Sequence, residues 1–411
     1  MSQAQTFVIV GASLAGAKAA EVLRAEGFDG RVVLIGDEPQ RPYERPPLSK
    51  EYLRGDKDFD ATAVHPSEFY NDQEIELRTS TLTTSLDAAT SVVTLSSGEQ
   101  IGYDRLLLAT GAAPRRLSVP GAELDGVLYL RSVADADALR ETLVRSSQII
   151  VIGAGWIGAE VAASARQLGA KVSMIEMASV PLERVLGPEI GAIYRDLHAE
   201  HGVEMHFGTS VNALLGSDSV EAVRLADGTV LPATAVVVGV GVTPRVDLAE
   251  TAGLAINNGI VVNEHLESSI PGIFAAGDVA NAFHPRYGEN IRLEHWSAAL
   301  NQGAEAARSM LGESVTYDRT PYFFSDQYDL GMEYRGWAPS FDQVVLRRES
   351  DSRAFIAFWL YHGRAVAAMN ANIWDAGDAI EAVLQVRRPI DTARLADPDV
   401  DLAELTSFGT H

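Results

Sequence analysis

The chain has 411 residues, enough for two or three domains, and 46% of them are apolar, an ordinary globular composition. Its formal charge of -23 speaks against a broad surface for nucleic acid. The absence of any cysteine excludes a disulfide, a thiolate nucleophile and a cysteine-ligated iron–sulfur cluster.

The nine histidines show no HxxxH or HExxH spacing, so no bound metal is expected, and no stretch is long and apolar enough to span a bilayer. From the amino end, the apolar run Thr6–Val10 reads as a strand. No basic segment precedes it and glycines follow at once, which is unlike a signal peptide and points to the cytoplasm. The loop Gly11-Ala12-Ser13-Leu14-Ala15-Gly16 comes next, then a helix from Leu14 to Glu26 and a strand over residues 31–35. This is nearly a dinucleotide-binding β-α-β unit, with Ser13 where the second glycine is expected. A Cβ there costs some closeness of approach, while its hydroxyl can donate to a phosphate oxygen. Asp37 follows the second strand as a ribose-binding carboxylate should, with Glu38 as its neighbour and substitute.

Two further strands, Val92–Leu95 and Tyr103 to Gly111, are separated by Ser97-Gly98. A second β-α-β unit then begins with the strand Gln148–Ile152. Its loop, Gly153-Ala154-Gly155-Trp156-Ile157-Gly158, matches G-x-G-x-x-G, a helix runs on through Leu168, and the strand from Lys171 to Ile175 leads to Glu176. The three glycines serve the tight turn, the approach of backbone to pyrophosphate, and the packing of helix on strand. Glu176, 23 residues after Gly153, can accept from both hydroxyls of an adenosine ribose and repels a 2′-phosphate. Met177-Ala178-Ser179 offer that phosphate no cation, so NADH is expected over NADPH.

The run Val220 to Leu225, the turn Asp227-Gly228 and the strand from Ala235 to Gly241 repeat the order of the first half. Two such halves imply two nucleotide sites. From Thr320 the pattern changes to short alternating strands, such as Phe355 to Leu360 and Val366 to Met369 about the turn His362-Gly363, with a closing helix from about Asp378 to Val386. The expected fold is therefore α/β: two Rossmann-like dinucleotide-binding domains plus a C-terminal α+β domain. The expected boundaries are 1–111 with 243–319, 112–242, and 320–411.

Both loops, Ala109-Thr110-Gly111 and the stretch Gly272-Ile273-Phe274-Ala275-Ala276-Gly277-Asp278 resemble the two-dinucleotide-domain flavoprotein reductases of the glutathione-reductase-like fold. Within them, Arg41-Pro42-Tyr43-Glu44-Arg45-Pro46-Pro47-Leu48-Ser49-Lys50, Glu294-His295-Trp296 and Ser325-Asp326-Gln327 resemble the ferredoxin reductases that serve bacterial oxygenases, essentially end to end. The resemblance implies FAD in the first site. Gly11, Ser13, Ala15 and Gly16 would meet the pyrophosphate, Asp37 the adenosine ribose, and Asp278 after Gly277 the ribityl and pyrophosphate. Lys50 would lie beside the isoalloxazine and Trp296 against it, with Arg45, Leu82, Thr110, Gly111 and Arg131 lining the same site. NADH would occupy the second site, with Gly153, Gly155, Ile157, Gly158, Glu160, Glu176 and Gly241.

The activity so implied is hydride transfer from NADH to FAD, then single-electron transfers to an iron–sulfur ferredoxin that supplies a cytochrome P450 or a Rieske dioxygenase. No residue is assigned as catalytic in the strict sense; Lys50, Glu160 and Trp296 are the groups expected near the reacting rings. A disulfide reductase or peroxidase on this scaffold needs a cysteine, which the chain lacks. An apoptosis-inducing-factor-like oxidoreductase or redox sensor without a ferredoxin is the alternative. Ferredoxins are usually acidic, so Arg335, Arg347, Arg348, Arg353, Arg364, Arg387 and Arg388, with Arg308 or Arg319, are expected to supply a basic patch.

Overall fold

The structure, a computed structural model, describes residues 5–146, 148–348 and 352–406. It divides into two compact units. One holds Met1–Pro47, Lys57–Ala113 and Val242–Arg319, and the other Leu48–Asp56, Pro114–Gly241 and Thr320–His411.

The first unit is built on five parallel strands in the order Ile273–Ala275, Arg105–Leu108, Thr6–Val10, Arg31–Ile35, Ile75–Arg78. A parallel sheet is covered on both faces, which is why its strands read as unbroken apolar runs: Val8, Ile9, Val33, Leu34, Leu106 and Leu107 are fully buried. The helix Leu14–Ala25 crosses the helix Trp296–Met310 at backbone distance. A Cβ on Gly303 would lie 2.3 Å from the Ala15 carbonyl oxygen, so only glycine permits that crossing. The strands Thr83–Asp87, Val92–Leu95 and Gln100–Gly102 form an antiparallel sheet. Across Ser97-Gly98, Val92–Leu95 pairs with the short strand Gln100–Gly102, and the chain then returns to the parallel sheet as Arg105–Leu108.

The second unit repeats the design. Its parallel strands run in the order Glu204–Phe207, Lys171–Glu176, Gln148–Ile152, Ala235–Val238, Val127–Leu128. An antiparallel sheet of Val211–Leu215, Ala222–Leu225 and Val230–Pro232 accompanies them. This unit also holds a five-stranded antiparallel sheet, ordered Tyr322–Gln327, Leu330–Gly336, Arg364–Ala371, Phe355–Tyr361, Gln343–Arg347. One face of that sheet, through Met332, Phe355, Trp359 and Met369, packs on Leu186, Ile190 and Tyr194 of the helix Glu183–Glu200. The other face, through Phe358 and Ala368, is covered by Ile380 and Val383 of the helix Gly377–Leu384 and by Leu395 and Leu402.

The helix Glu183–Glu200 is broken at Gly187, whose φ of 78° no helix accommodates, with Pro188 next to it. The carbonyl of Leu186, at the break, accepts the indole N–H of Trp359 at 3.1 Å. Among the described residues, no helix is long and apolar enough to cross a membrane.

Candidate functional site

The two glycine loops have the same internal geometry. A Cβ on Gly11 would lie 2.0 Å from the Ala109 carbonyl oxygen, and one on Gly153 would lie 2.4 Å from that of Gly239. Each first glycine thus crosses over the end of a neighbouring strand. A Cβ on Gly16 or on Gly158 would lie 2.0 Å from the carbonyl oxygen of Gly11 or Gly153, which closes each turn onto its helix. The middle position differs, because a Cβ on Gly155 would meet nothing within 4 Å. The outer glycines are therefore required by the fold itself, while the middle one faces open space at the helix N-terminus. That accounts for Ser13: at the middle position a Cβ costs the chain nothing internally. The Ser13 side chain makes no capping bond to its helix, and no acidic residue occupies the first turn of either helix. Free backbone N–H groups, a hydroxyl and a positive helix end suit an anion such as pyrophosphate.

The carboxylates behind the loops are held differently. Glu176, at the end of the strand Lys171–Glu176, accepts the N–H of Ala154 at 2.7 Å on one oxygen and that of Ala178 at 3.0 Å on the other. It is thereby fixed beside its loop, while its neighbour Met177 stands 76% exposed. In the first unit, Asp37 is exposed and pairs with Arg245 at 2.9 Å. The N–H of Arg245 donates to the Gly111 carbonyl and its own carbonyl accepts the Thr110 hydroxyl, so Asp37, Thr110 and Gly111 share one loop cluster. Glu38 instead accepts from Arg45 at 2.7 Å and from the Tyr43 hydroxyl. Burial works against the Arg45 charge, but Tyr43, Glu38 and Asp278 outweigh it and raise its pKa above the ordinary value.

Gly277, with φ of 77°, brings Asp278 to this region: a Cβ on Gly277 would lie 3.3 Å from that of Ala15. The imidazole of His295 is pushed down to about 4 by burial, against the opposing pull of Asp278, and so is neutral at pH 7. Trp296 follows it as the first residue of its helix. Leu82 lies 52% exposed.

In the second unit, Lys50 and Glu160 form a buried ion pair, Nζ to Oε2 at 3.0 Å. Ser49 Oγ donates to the same oxygen, and Ser325 Oγ donates to Oε1 at 2.7 Å. Lys50 also lies 5.7 Å from the centroid of the Phe324 ring. Three elements meet here: the segment bearing Ser49 and Lys50, the helix Trp156–Gln167 that opens at Gly155, and the strand Tyr322–Gln327. The Ser164 hydroxyl fastens the first to the second by donating to the Ser49 carbonyl at 2.6 Å. Asp326 is pushed up by burial, with Lys50 opposing and Glu160 reinforcing that shift.

Sequence reasoning placed Gly11, Ser13, Ala15, Gly16, Asp37, Arg45, Thr110, Gly111, Gly277, Asp278 and Trp296 in one site, and all of them belong to the first unit. Lys50 and Arg131 belong to the second, where the N–H of Arg131 donates to Asp135 ahead of the helix Val133–Arg145. Gly153, Gly155, Ile157, Gly158, Glu160, Glu176 and Gly241 all lie in the second unit as well, and Gly241 accepts the Arg115 N–H at 2.9 Å. Sequence reasoning missed Arg245 as a member of these clusters, and it took Ser49 and Ser325 only as marks of resemblance. No local pattern announces them, because each acts on a partner far away in the chain.

A family model described as pyridine nucleotide-disulphide oxidoreductase matches residues 5–303, and one described as reductase C-terminal matches residues 322–406. The chain is 38% identical over 404 residues to the 5,5'-dehydrodivanillate O-demethylase ferredoxin reductase subunit of a Sphingobium species, covering 97% of this chain and 98% of that one. Among solved structures, the ferredoxin reductase for the CYP199A2 system from Rhodopseudomonas palustris superposes with a TM-score of 0.94 at 38% identity, covering 98% of this chain and 100% of that one. The covalent putidaredoxin reductase–putidaredoxin complex gives 0.93 at 36% identity, covering 98% of each chain.

Proposed function

The chain belongs to the pyridine nucleotide-disulphide oxidoreductase family, and from that premise we propose that it is an FAD-dependent NADH:ferredoxin reductase supplying electrons to an oxygenase. The observation that carries the reading is the pair of glycine loops, each with its outer glycines closed on the fold and its middle position open at a helix N-terminus. FAD belongs to the loop at Ser13 and NADH to the loop at Gly155. Bound flavin supplies the conversion of a two-electron hydride into single electrons, which no side chain of this protein can perform.

The protein's part is to bind, orient and set charge. Ser13, Ala15 and Gly16 would present a hydroxyl and N–H groups to the FAD pyrophosphate, while Gly11, whose own N–H donates to the Ile35 carbonyl at 2.8 Å, makes the tight turn; Asp37 would accept from the adenosine ribose and Asp278 from the ribityl chain. Arg45, neutralised by Glu38, brings a cation that stays protonated at every working pH. Glu176 receives the adenosine ribose of NADH and repels a 2′-phosphate. The buried Lys50–Glu160 pair holds a fixed ammonium without a net charge, and Lys50 is the group that the family resemblance would assign to the isoalloxazine. With no cysteine in the chain, electrons cannot leave through a dithiol and pass instead to a one-electron partner.

The partner is an iron–sulfur ferredoxin, as the names of the relatives indicate for them, and the terminal acceptor is a cytochrome or Rieske-type oxygenase. A cytoplasmic location agrees with the cysteine-free composition. The test is direct. Heat-denatured protein should release FAD, and NADH should drive reduction of an added ferredoxin far faster than reduction of oxygen. Release of FMN or of no flavin, or oxygen consumed as fast as ferredoxin is reduced, overturns the reading.

A further inference from the structure

Behind the Lys50–Glu160 pair runs a buried line of polar side chains that the proposed reaction leaves unused. Ser325 Oγ, which donates to Glu160 Oε1, lies 3.4 Å from Gln327 Nε2. Gln327 Oε1 lies 2.9 Å from His198 Nε2, and His198 Nδ1 lies 3.3 Å from the Tyr328 hydroxyl. Ser325, Gln327 and His198 are each at most 1% exposed. His198 comes from the helix Glu183–Glu200, while the others lie on or just after the strand Tyr322–Gln327. The stack of His201 on the Tyr328 ring, with centroids 3.6 Å apart, closes the outer end.

The line has two self-consistent directions. With its hydrogen on Nε2, His198 donates to Gln327 Oε1, the Gln327 amide N–H points to Ser325, and the Ser325 hydroxyl has Glu160 as its acceptor. Tyr328 then donates to Nδ1. With the hydrogen on Nδ1, every member turns over: the Gln327 amide must present its N–H to the ring and its oxygen to Ser325. The Ser325 hydroxyl would then be drawn from Glu160 to Gln327. Nitrogen and oxygen ends of such groups are distinguished by their partners, and one ring tautomer decides the whole set.

We propose that His198 is a positioning residue: as the neutral Nε2–H tautomer it sets the direction of the Gln327–Ser325 line and so commits the Ser325 hydroxyl to Glu160, which in turn holds Lys50. The geometry favours this direction: Ser325 Oγ stands 2.7 Å from Glu160 Oε1, a carboxylate oxygen that can only accept, and 3.4 Å from the Gln327 amide, so the hydroxyl donates to Glu160 and Gln327 turns its N–H to Ser325 and its oxygen to the ring. The two neighbouring protonation states are compatible with it. Burial pushes the His198 imidazole down to about 4, with the Gln327 bond opposing, so the ring is neutral at pH 7. Burial also pushes the Tyr328 phenol well above its ordinary range, so it retains a hydrogen to donate. Buried networks of this kind fix one arrangement because an inverted or broken member leaves a polar group without a partner. The other titratable groups facing Glu160 are Asp326 and Tyr194, the latter kept protonated by burial and by both carboxylates.

The consequence for the flavin rests on the function proposed above, so the test has one arm that does not need it. Long-range 1H–15N spectra of the purified holoprotein labelled at histidine, assigned with His198→Gln, should show the His198 hydrogen on Nε2 at pH 7. A hydrogen on Nδ1, or an imidazolium, overturns the proposal. In the second arm, His198→Ala and Ser325→Ala should shift the flavin midpoint potential in the same direction, and the double variant should shift it no further than Ser325→Ala alone. His198→Gln, whose amide N–H takes the place of Nε2–H, should restore most of the shift. No shift in His198→Ala, or additive shifts in the double variant, overturns the positioning role. Protein that holds no flavin overturns the proposed function instead, and the tautomer then decides this inference by itself.

Discussion

Lys50 and Glu160 stand 110 residues apart in the chain and 3.0 Å apart in the structure, each with less than a tenth of its side chain exposed. A pair so placed is poor evidence of stability gained, since both charges have left water, but removal of one partner strands the other. Glu160→Gln is expected to cost about 3–5 kcal/mol, and Lys50→Met with Glu160→Gln together to cost less than Glu160→Gln alone. Denaturant unfolding of the purified variants measures both. A double variant less stable than Glu160→Gln would show that the ammonium is not held by this carboxylate.

The cofactor loops were legible in the sequence because their chemistry is local: a strand, three positions within six residues and a helix. What the sequence did not disclose is why Ser13 and Gly155 share one role: the first glycine of each loop is crowded by the distant Ala109 or Gly239 and the last by the first, while the middle position in the second loop meets nothing. The helix and strand limits came close, with the second helix ending at Gln167 against an expected Leu168. The strand expected from Tyr103 to Gly111 shrinks to Arg105–Leu108, because Gln100–Gly102 takes the pairing with Val92–Leu95. The polar line from His198 to Glu160 was beyond reach, as its bonds join residues 129 and 165 positions apart.

Asp278 and Asp37 should differ as FAD ligands. Asp37 is exposed and already paired with Arg245, an arrangement worth little at a surface. Asp278 lies beside a partly buried Arg45 and a neutral His295. Asp278→Ala is expected to weaken FAD binding by about 1–3 kcal/mol, roughly ten- to hundredfold, and Asp37→Ala by less than tenfold. Fluorescence titration of the apoprotein with FAD gives both values, and equal losses would contradict the assignment.

Glu176 is clamped by the N–H groups of Ala154 and Ala178, with Met177 open to solvent beside it. The unmodified protein should prefer NADH. Glu176→Gln with Met177→Arg removes the repulsion and supplies a phosphate partner. The ratio of kcat/KM for NADPH over NADH should then rise by about ten- to hundredfold. Comparable kcat/KM for both cofactors before substitution would remove the basis of the reading.

Acid should test His198. Its folded value of about 4 lies below the ordinary 6.5, so the native state refuses a proton that the unfolded chain takes. The stability this represents is fully present above pH 6.5 and is lost as pH falls towards 4, by about 3 kcal/mol over the whole span. His198→Gln has no such proton to refuse, so the wild type should lose melting temperature more steeply between pH 7 and pH 4. Parallel curves for the two proteins would show that His198 is not the group that titrates.

The expected basic patch is narrower in the structure than in the sequence. Arg335 pairs with Glu333, Arg353 with Glu200 and Asp329, and Arg308 and Arg319 both reach Glu305. Arg347 bonds the carbonyls of Asp397, Pro398 and Val400, and burial lowers its pKa. Arg348, Arg364 and Arg387 are exposed with no ion pair among the described residues. The bond from the Ile390 N–H to the Gly363 carbonyl ties the segment that follows Arg387 to the turn that precedes Arg364. On a chain of charge -23, an acidic ferredoxin would be repelled in general and drawn only where cations are unopposed. Arg364→Glu with Arg387→Glu should therefore slow ferredoxin reduction at low ionic strength, with little change in the rate at which NADH reduces the enzyme. Charge reversal at the paired Arg353 should have a smaller effect. Added salt should narrow the gap between double variant and wild type, because screening acts on long-range attraction between proteins and hardly on a buried hydride transfer. Ferredoxin turnover unaltered by the double reversal at low salt would rule out this end of the sheet as the steering surface, and equal slowing of both half-reactions by salt would rule out steering altogether.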